Sequence, residues 1–276
     1  MRHLPRINLP APVLDALSAY QNRLEAAVDA ERAKDAPKLA ARIEAIWKAR
    51  RSTNALRVVA RALRAMASGL ERCMYCEDSH GCDVEHGYPK VPHPERAFLW
   101  PNLLWVCAPC NRQKNDTFDE ELLDPTREDP LDHLVLSPAT GRYAARDGSR
   151  RGAATLCVLR RLKSDPTLAR GRWNALGKLR TFLREYDTHE ANGRAAEADT
   201  IRGVIVEEPF SAVFAAVLRA CTEPGAAEVL GAELVGVVSR HPVMHHWLRE
   251  AGDARVDAAK PEIADLARRV RVRRAR

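Results

Sequence analysis

Apolar residues recur at three- and four-residue steps through the first third of the chain. Leu14, Leu17, Tyr20, Leu24 and Val28 fall on one face of a helix. A second pattern opens at Pro37 and runs through Leu39, Ile43, Ile46, Thr53, Leu56, Val59, Leu63 and Met66 to Ser68-Gly69, where glycine suits a helix C-cap. The pair predicts an antiparallel helical hairpin over residues 1–69, its second helix decorated by Arg42, Arg50, Arg57, Arg61 and Arg64. Between 70 and 124 the periodicity fails, and Cys, Pro, His, Asn and Trp take over. Residues 133–137 and 142–146 flank Pro138-Ala-Thr-Gly141, which predicts a β-hairpin. Ser164, ahead of Asp165 and Pro166, reads as an N-cap, and helical patterns follow at 165–186, 209–222, 224–239 and 242–250. The expected fold class is α+β and mostly helical. A chemical core at 70–137 carries the β structure, and a mainly helical region at 138–276 ends in a basic tail that starts at Lys260 and closes on Arg-Val-Arg-Val-Arg-Arg-Ala-Arg276.

Composition narrows the class. Hydrophobic residues make 46% and charged residues 29% of 276, which is neither a disordered nor a membrane composition. The longest apolar-rich stretch, Phe210 to Cys221, is interrupted by Arg219 and falls short of the roughly 20 residues a bilayer requires. The start, Met-Arg-His-Leu-Pro, has no apolar signal region, so a cytoplasmic location and no membrane partner are expected. Charge is unevenly placed: 14 Lys/Arg against 7 Asp/Glu in residues 1–72, 5 against 13 in 73–137, and 25 against 17 in 138–276. An acidic centre between basic flanks suits a cation site whose surroundings contact phosphate.

Seven cysteines include two Cys-x-x-Cys pairs, Cys73-Met-Tyr-Cys76 and Cys107-Ala-Pro-Cys110. Four thiolates close a tetrahedral zinc site with no open position, so these knuckles predict a structural Zn²⁺. Cys82 and His80 read as loop residues, and Cys157 and Cys221 as buried structural thiols.

Between the knuckles lie Asp83-Val-Glu-His-Gly-Tyr-Pro-Lys90 and Trp100-Pro-Asn-Leu-Leu-Trp-Val106, and the second knuckle runs into Asn111-Arg-Gln-Lys114. Glu85 is a hard oxygen ligand beside His86, which can take a proton near neutral pH. Trp105-Val106 is strand-like, and Pro109 suits the first turn of a helix that begins after Cys107 and carries Asn111. A strand bearing Glu-His, a return strand and a helix bearing Asn could converge on one divalent cation.

Over about 45 residues this pattern resembles the zinc-knuckle branch of the HNH, or His-Me finger, endonucleases. The resemblance implies a ββα-metal core at 70–137, with His86 as the general base that activates water. It implies Glu85 and Asn111 as ligands of one catalytic divalent cation, Mg²⁺ or Mn²⁺. It makes Asn102 the residue that braces the loop and orients His86, and Lys90, Lys114 and Arg112 the cations near phosphate. Asn stands where the family name has its last His, and Glu where many members have Asp. Leu123 to Pro130 with His133-Leu, and Thr155 to Arg172, extend the resemblance towards HNH proteins of retron and Septu anti-phage systems, which work with a partner ATPase. The function expected is hydrolysis of phosphodiester bonds in nucleic acid, DNA ahead of RNA, within such a defence system. Activity is expected to fall below a pH near the imidazole pKa.

Other readings stand beside this one. The chain could be a zinc module that binds nucleic acid without cutting it, or a subunit whose helices dock an ATPase. Trp100 and Trp105 are expected to pack the small core rather than stack on bases. His241, His245 and His246, near Trp247, read as helix-end packing rather than as a second metal site.

Overall fold

A computed structural model describes residues 1–32 and 38–270. Pro37 and the tail beyond 270, both named above, lie outside the described residues. The molecule is mostly helical with two small two-stranded sheets. Among the described residues no helix is long and apolar enough to cross a membrane.

Helix α1 (Ala11–Arg32) buries Val13, Leu17, Leu24 and Val28, with Gln21 between them. Leu14, expected on the buried face, is 41% exposed, and Val13 takes its place. The anticipated second helix is two, α2 (Leu39–Arg50) and α3 (Asn54–Met66). Thr53 was expected inside the helix. Its backbone is extended instead, and its hydroxyl caps α3 by accepting from Leu56 N at 3.4 Å. A capping hydroxyl satisfies a free N–H at the helix start, so the break costs little. Leu56, Val59, Leu63 and Met66 then turn inward as their spacing requires.

The centre of the chain forms an antiparallel ribbon followed by a short helix. Strand β1 (Asp83–His86) pairs with β2 (Leu103–Val106) in a register that sets Asp83 opposite Val106 and His86 opposite Leu103. Helix α4 (Ala108–Lys114) starts directly after Cys107, with Pro109 in its first turn. Trp100 and Trp105 are buried, their indole N–H groups donating to Ile7 O and Glu71 O. Gly81 lies against the Trp105 indole, where a Cβ would sit 2.1 Å from the ring. The second ribbon, β3 (Leu134–Leu136) with β4 (Tyr143–Ala145), falls where the turn signal placed it.

Helices α5 (Arg150–Val158), α6 (Arg161–Ser164) and α8 (Ala195–Glu207) have no counterpart among the expected elements. Their short or uneven apolar faces explain the omission, since α8 buries only Ala198, Ile205 and Val206. The cap of α7 (Pro166–Ala191) is Asp165 rather than Ser164; its carboxylate accepts from Thr167 N at 2.9 Å and Leu168 N at 3.4 Å. After α9 (Ser211–Ala220), the pattern at 224–239 divides into α10 (Ala226–Leu230) and α11 (Ala232–Arg240) at Gly231, whose φ of 92° is open chiefly to glycine. Helix α12 (Met244–Arg268) runs far beyond its expected end and passes through Pro261, so the stretch from Lys260 expected as tail is helix as far as Arg268. It packs along α3, so the last helix supports the first third of the chain. His241 bonds Asp187 at 2.8 Å and packs edge-on against Tyr186. Cys157 is exposed and Cys221 half-buried, so neither is the buried structural thiol expected.

Candidate metal centre and adjacent cleft

Backbone bonds from the first knuckle to the ribbon bring the cysteine pairs together. Met74 N donates to Trp105 O at 2.9 Å, and Cys82 N to Val106 O at 2.8 Å. Cys107 and Cys110 sit at the start of α4, reached directly from β2. The four Sγ atoms of Cys73, Cys76, Cys107 and Cys110 lie within 4.8 Å of one another, all buried. Cys76 and Cys107 are 3.7 Å apart. Zn–S bonds of about 2.3 Å at tetrahedral angles set sulfurs about 3.8 Å apart, so the cluster fits that ion. These four buried cysteines could bind a structural metal such as zinc.

Their electrostatics agree. The three neighbouring thiols lower the pKa of Cys76, and Cys110 and Cys73 lower that of Cys107. Cys110 is pushed far up by its neighbours, and Cys73 is pushed up by burial. Two of the thiols are held low and two are pushed up, a conflict that a divalent cation bound by all four would remove. The Arg161 guanidinium, 3.6 Å from Cys110 Sγ, adds positive charge from outside the cluster.

Glu77, just past the first knuckle, has φ of 59°, a left-handed conformation that costs a side-chain-bearing residue about 1–2 kcal/mol. Its buried carboxylate accepts from Ala212 N at 2.9 Å and Ser68 Oγ at 3.1 Å, which ties the knuckle to the start of α9. Nothing near Glu77 in the sequence signals this, because the partners come from distant segments.

Beside the cluster, at the end of β1, Glu85, His86, Lys90, Asn111 and Asp116 line a cleft of about 60 Å³. Neighbouring strand residues point to opposite faces. Glu85 accordingly meets α4, where Lys114 Nζ bonds its Oε1 at 3.0 Å, while the His86 ring packs on Trp47 of α2 at a centroid distance of 4.3 Å. His86 Nε2 lies 3.1 Å from Ala97 O. A carbonyl only accepts, so Nε2 carries the hydrogen and Nδ1 keeps its lone pair. Burial, aided by the charges of Lys90 and Lys114, pushes the His86 pKa down to about 3. The ring is therefore neutral throughout the physiological range. Protonation of this ring falls well below the ordinary imidazole range.

Asn102 is buried at the foot of the loop between the strands. Its Oδ1 accepts from Tyr88 N at 2.6 Å, and its Nδ2 donates to Tyr88 O at 3.1 Å and Arg96 O at 2.9 Å. Gln21 of α1 holds the same loop, donating to Pro94 O and accepting from Phe98 N. Asn111 Nδ2 donates to Asp83 Oδ2 at 3.3 Å, which leaves its carbonyl oxygen for another partner. Among the described residues, the four cysteines form the one group of three or more His, Cys, Asp or Glu side chains whose ligand atoms converge.

The expected phosphate cations divide. Arg112 is exposed on α4. Lys90 lines the cleft but is paired with Glu44 at 2.8 Å. Lys114 departs from expectation: it is fully buried, bonding Glu85 and also His86 O at 2.8 Å. Its ammonium holds the strand end in place of facing a phosphate. The sequence reading missed Trp47, Gln21, Glu77 and Asp83. Only Asp83 had a local signal, since it lies two positions before Glu85 on the same face of a strand.

The neutral, buried His86 carries a stability consequence. The unfolded chain takes up a proton near pH 6.5, whereas the folded one resists until about pH 3. Because the folded pKa is the lower, stability is complete above 6.5 and declines as pH falls toward 3, by up to about 1.4 kcal/mol per unit. Denaturant titrations between pH 7 and 5 should show this slope, and His86→Gln should flatten it. An equal slope in both proteins would assign the loss to other groups, the thiols first.

Compared with known proteins, the chain matches no family model, no curated protein and no solved structure.

Proposed function

We propose that the chain is a metal-dependent endonuclease of the HNH, or His-Me finger, kind that hydrolyses phosphodiester bonds in nucleic acid. The observation that carries this reading is the pairing of a neutral His86, its tautomer set by Ala97 O, with the oxygen donors Glu85 and Asn111 at one small cleft.

In this reading His86 Nδ1 takes the proton from the attacking water. The bond from Nε2–H to Ala97 O keeps the imidazole in the required tautomer and spreads the positive charge it gains. Asn102 prevents the loop carrying Ala97 from drifting, and Trp47 holds the ring plane. Asp83 turns the Asn111 amide so that its oxygen is free; burial raises the Glu85 pKa, and the Lys114 ammonium bonded to it opposes that rise. A divalent cation held by Glu85 and Asn111 would polarise the scissile phosphate and stabilise the leaving oxygen, with water and phosphate oxygens completing its shell. The zinc cluster takes no part in the reaction; it anchors α4 beside β1 and so sets the distance between Asn111 and Glu85.

Purified full-length protein incubated with plasmid, single-stranded DNA and tRNA tests the proposal. Cutting is expected with Mg²⁺ or Mn²⁺ and is expected to stop on brief EDTA treatment that leaves the zinc content unchanged. Undiminished cutting in EDTA, or none on any substrate with either ion, would overturn it.

A further inference from the structure

A second cavity, of about 470 Å³, borders the loop that follows His86 and is far larger than the small cleft at His86 itself. Its volume lies in the range of ligand clefts, roughly 300–1,000 Å³. Gly87 and Tyr88 line it, whereas Glu85 and His86 line the small cleft. Only Gly87 separates His86 from Tyr88, so their Cα atoms are at most about 7.6 Å apart.

The walls have a definite chemistry. Tyr88 stacks on Phe118 at a centroid distance of 4.2 Å, and the Arg96 guanidinium lies over the Tyr88 ring at 3.9 Å. Three arginines, Arg96, Arg127 and Arg151, and three carboxylates, Glu120, Asp124 and Glu128, line it together, with Arg151 paired to Glu128. Such balance repels a polyanion as much as it attracts one, so a bare phosphate is a poor occupant. A flat, neutral ring system with both donors and acceptors suits it better. Tyr75, between the cysteines of the first knuckle, also lines the cavity; it is fully buried, and its hydroxyl has no hydrogen-bond partner. A buried hydroxyl left unpaired is costly, and a ligand in this cavity is positioned to satisfy it.

We propose that this cavity receives an unpaired nucleobase, that of the nucleotide flanking the phosphate at His86, so that the substrate is single-stranded or unstacked there. The base extends the Arg96–Tyr88–Phe118 stack and bonds the Tyr75 hydroxyl. The assignment to a substrate nucleotide rests on the nuclease reading above.

The test uses the full-length zinc-retaining protein and its His86→Ala form, titrated with a single-stranded DNA oligonucleotide carrying 2-aminopurine, its duplex, and an abasic version. Stacking should change the 2-aminopurine fluorescence in both proteins, with the duplex and the abasic strand binding more weakly. Phe118→Ala should weaken binding about tenfold, as expected for loss of one stacked base. Tyr75→Phe should weaken it about three- to tenfold, yet leave Tm unchanged or raised, because it removes a hydroxyl that has no partner in the free protein. Equal binding of the abasic strand, or unchanged affinity in both variants, would overturn the proposal. If cutting depends on His86 but binding ignores the base, the cavity assignment fails and the nuclease stands. If base-dependent binding persists without any His86-dependent cutting, the nucleobase site stands and the nuclease reading fails.

Discussion

Cys76→Ser is expected to unfold the central module, and elemental analysis of the wild type is expected to find one zinc per chain. Structural zinc sites contribute about 10–16 kcal/mol in isolated peptides, as much as the whole stability of a typical domain, about 5–15 kcal/mol. The segments stapled here have little else to replace it. The ribbon is four residues a strand and α4 only seven residues long, too short to persist unaided. Met74 and Tyr75 are fully buried within the knuckle and would lose their packing, and Glu77 would lose its hold on α9. Replacing one thiol also leaves the remaining three in mutual repulsion once ionised. Thermal unfolding should shift down by tens of degrees, or the folded state should be lost at room temperature. Cys157→Ser serves as the control, because that thiol is exposed and lies outside the cluster. A zinc content well below one per chain in metal-retaining preparations, together with an unaltered Tm in Cys76→Ser, would remove the cluster from the account of the fold.

The second large effect concerns chemistry. His86→Ala should lower cleavage by about 10²–10⁴-fold, the usual worth of a positioned general base. It also removes a buried ring packed on Trp47, so zinc content and circular dichroism must show the variant folded before the rate is read. Equal cutting by the two proteins would end the proposed mechanism. The pH dependence gives an independent reading. With the free ring neutral down to about pH 3, kcat/KM should show no acid limb from His86 between pH 5 and 8. An anionic phosphate in the cleft stabilises the imidazolium and raises its pKa, so any limb from this group belongs to kcat. An acid limb in kcat/KM near pH 6.5 would show that the ring is solvated when substrate arrives.

The basic flanks are less simple than their charge suggests. Arg64 bonds Glu71, Arg61 pairs with Glu262 and Arg50 lies over the Tyr20 ring. Arg42 and Arg57 are exposed on the same helices. If the chain acts on nucleic acid as proposed, Arg42, Arg57 and Arg112 are exposed arginines from which to seek contact.

What the sequence determined by itself was local. Two Cys-x-x-Cys pairs, the strand character of Trp105-Val106, Pro109 behind Cys107 and the turn at Gly141 each act within a few residues, so their outcome was readable from spacing alone. The caps lay at the edge of that range: Thr53 and Asp165 end up as N-caps because their side chains reach the next turn's N–H groups, a choice an apolar pattern does not reveal. Tertiary structure decided the rest. Lys114 reads as a solvent-facing cation, yet it is buried because Glu85 and His86 O, more than two dozen residues earlier, meet it across the ribbon. The neutrality of His86 comes from its burial against Trp47 and from the charges of Lys90 and Lys114, and the support for Asn102's loop comes from Gln21 of α1. Burial and pairing depend on residues brought together by the fold. A histidine's place in a motif can suggest a base, but only its neighbours set the pH at which it holds a proton.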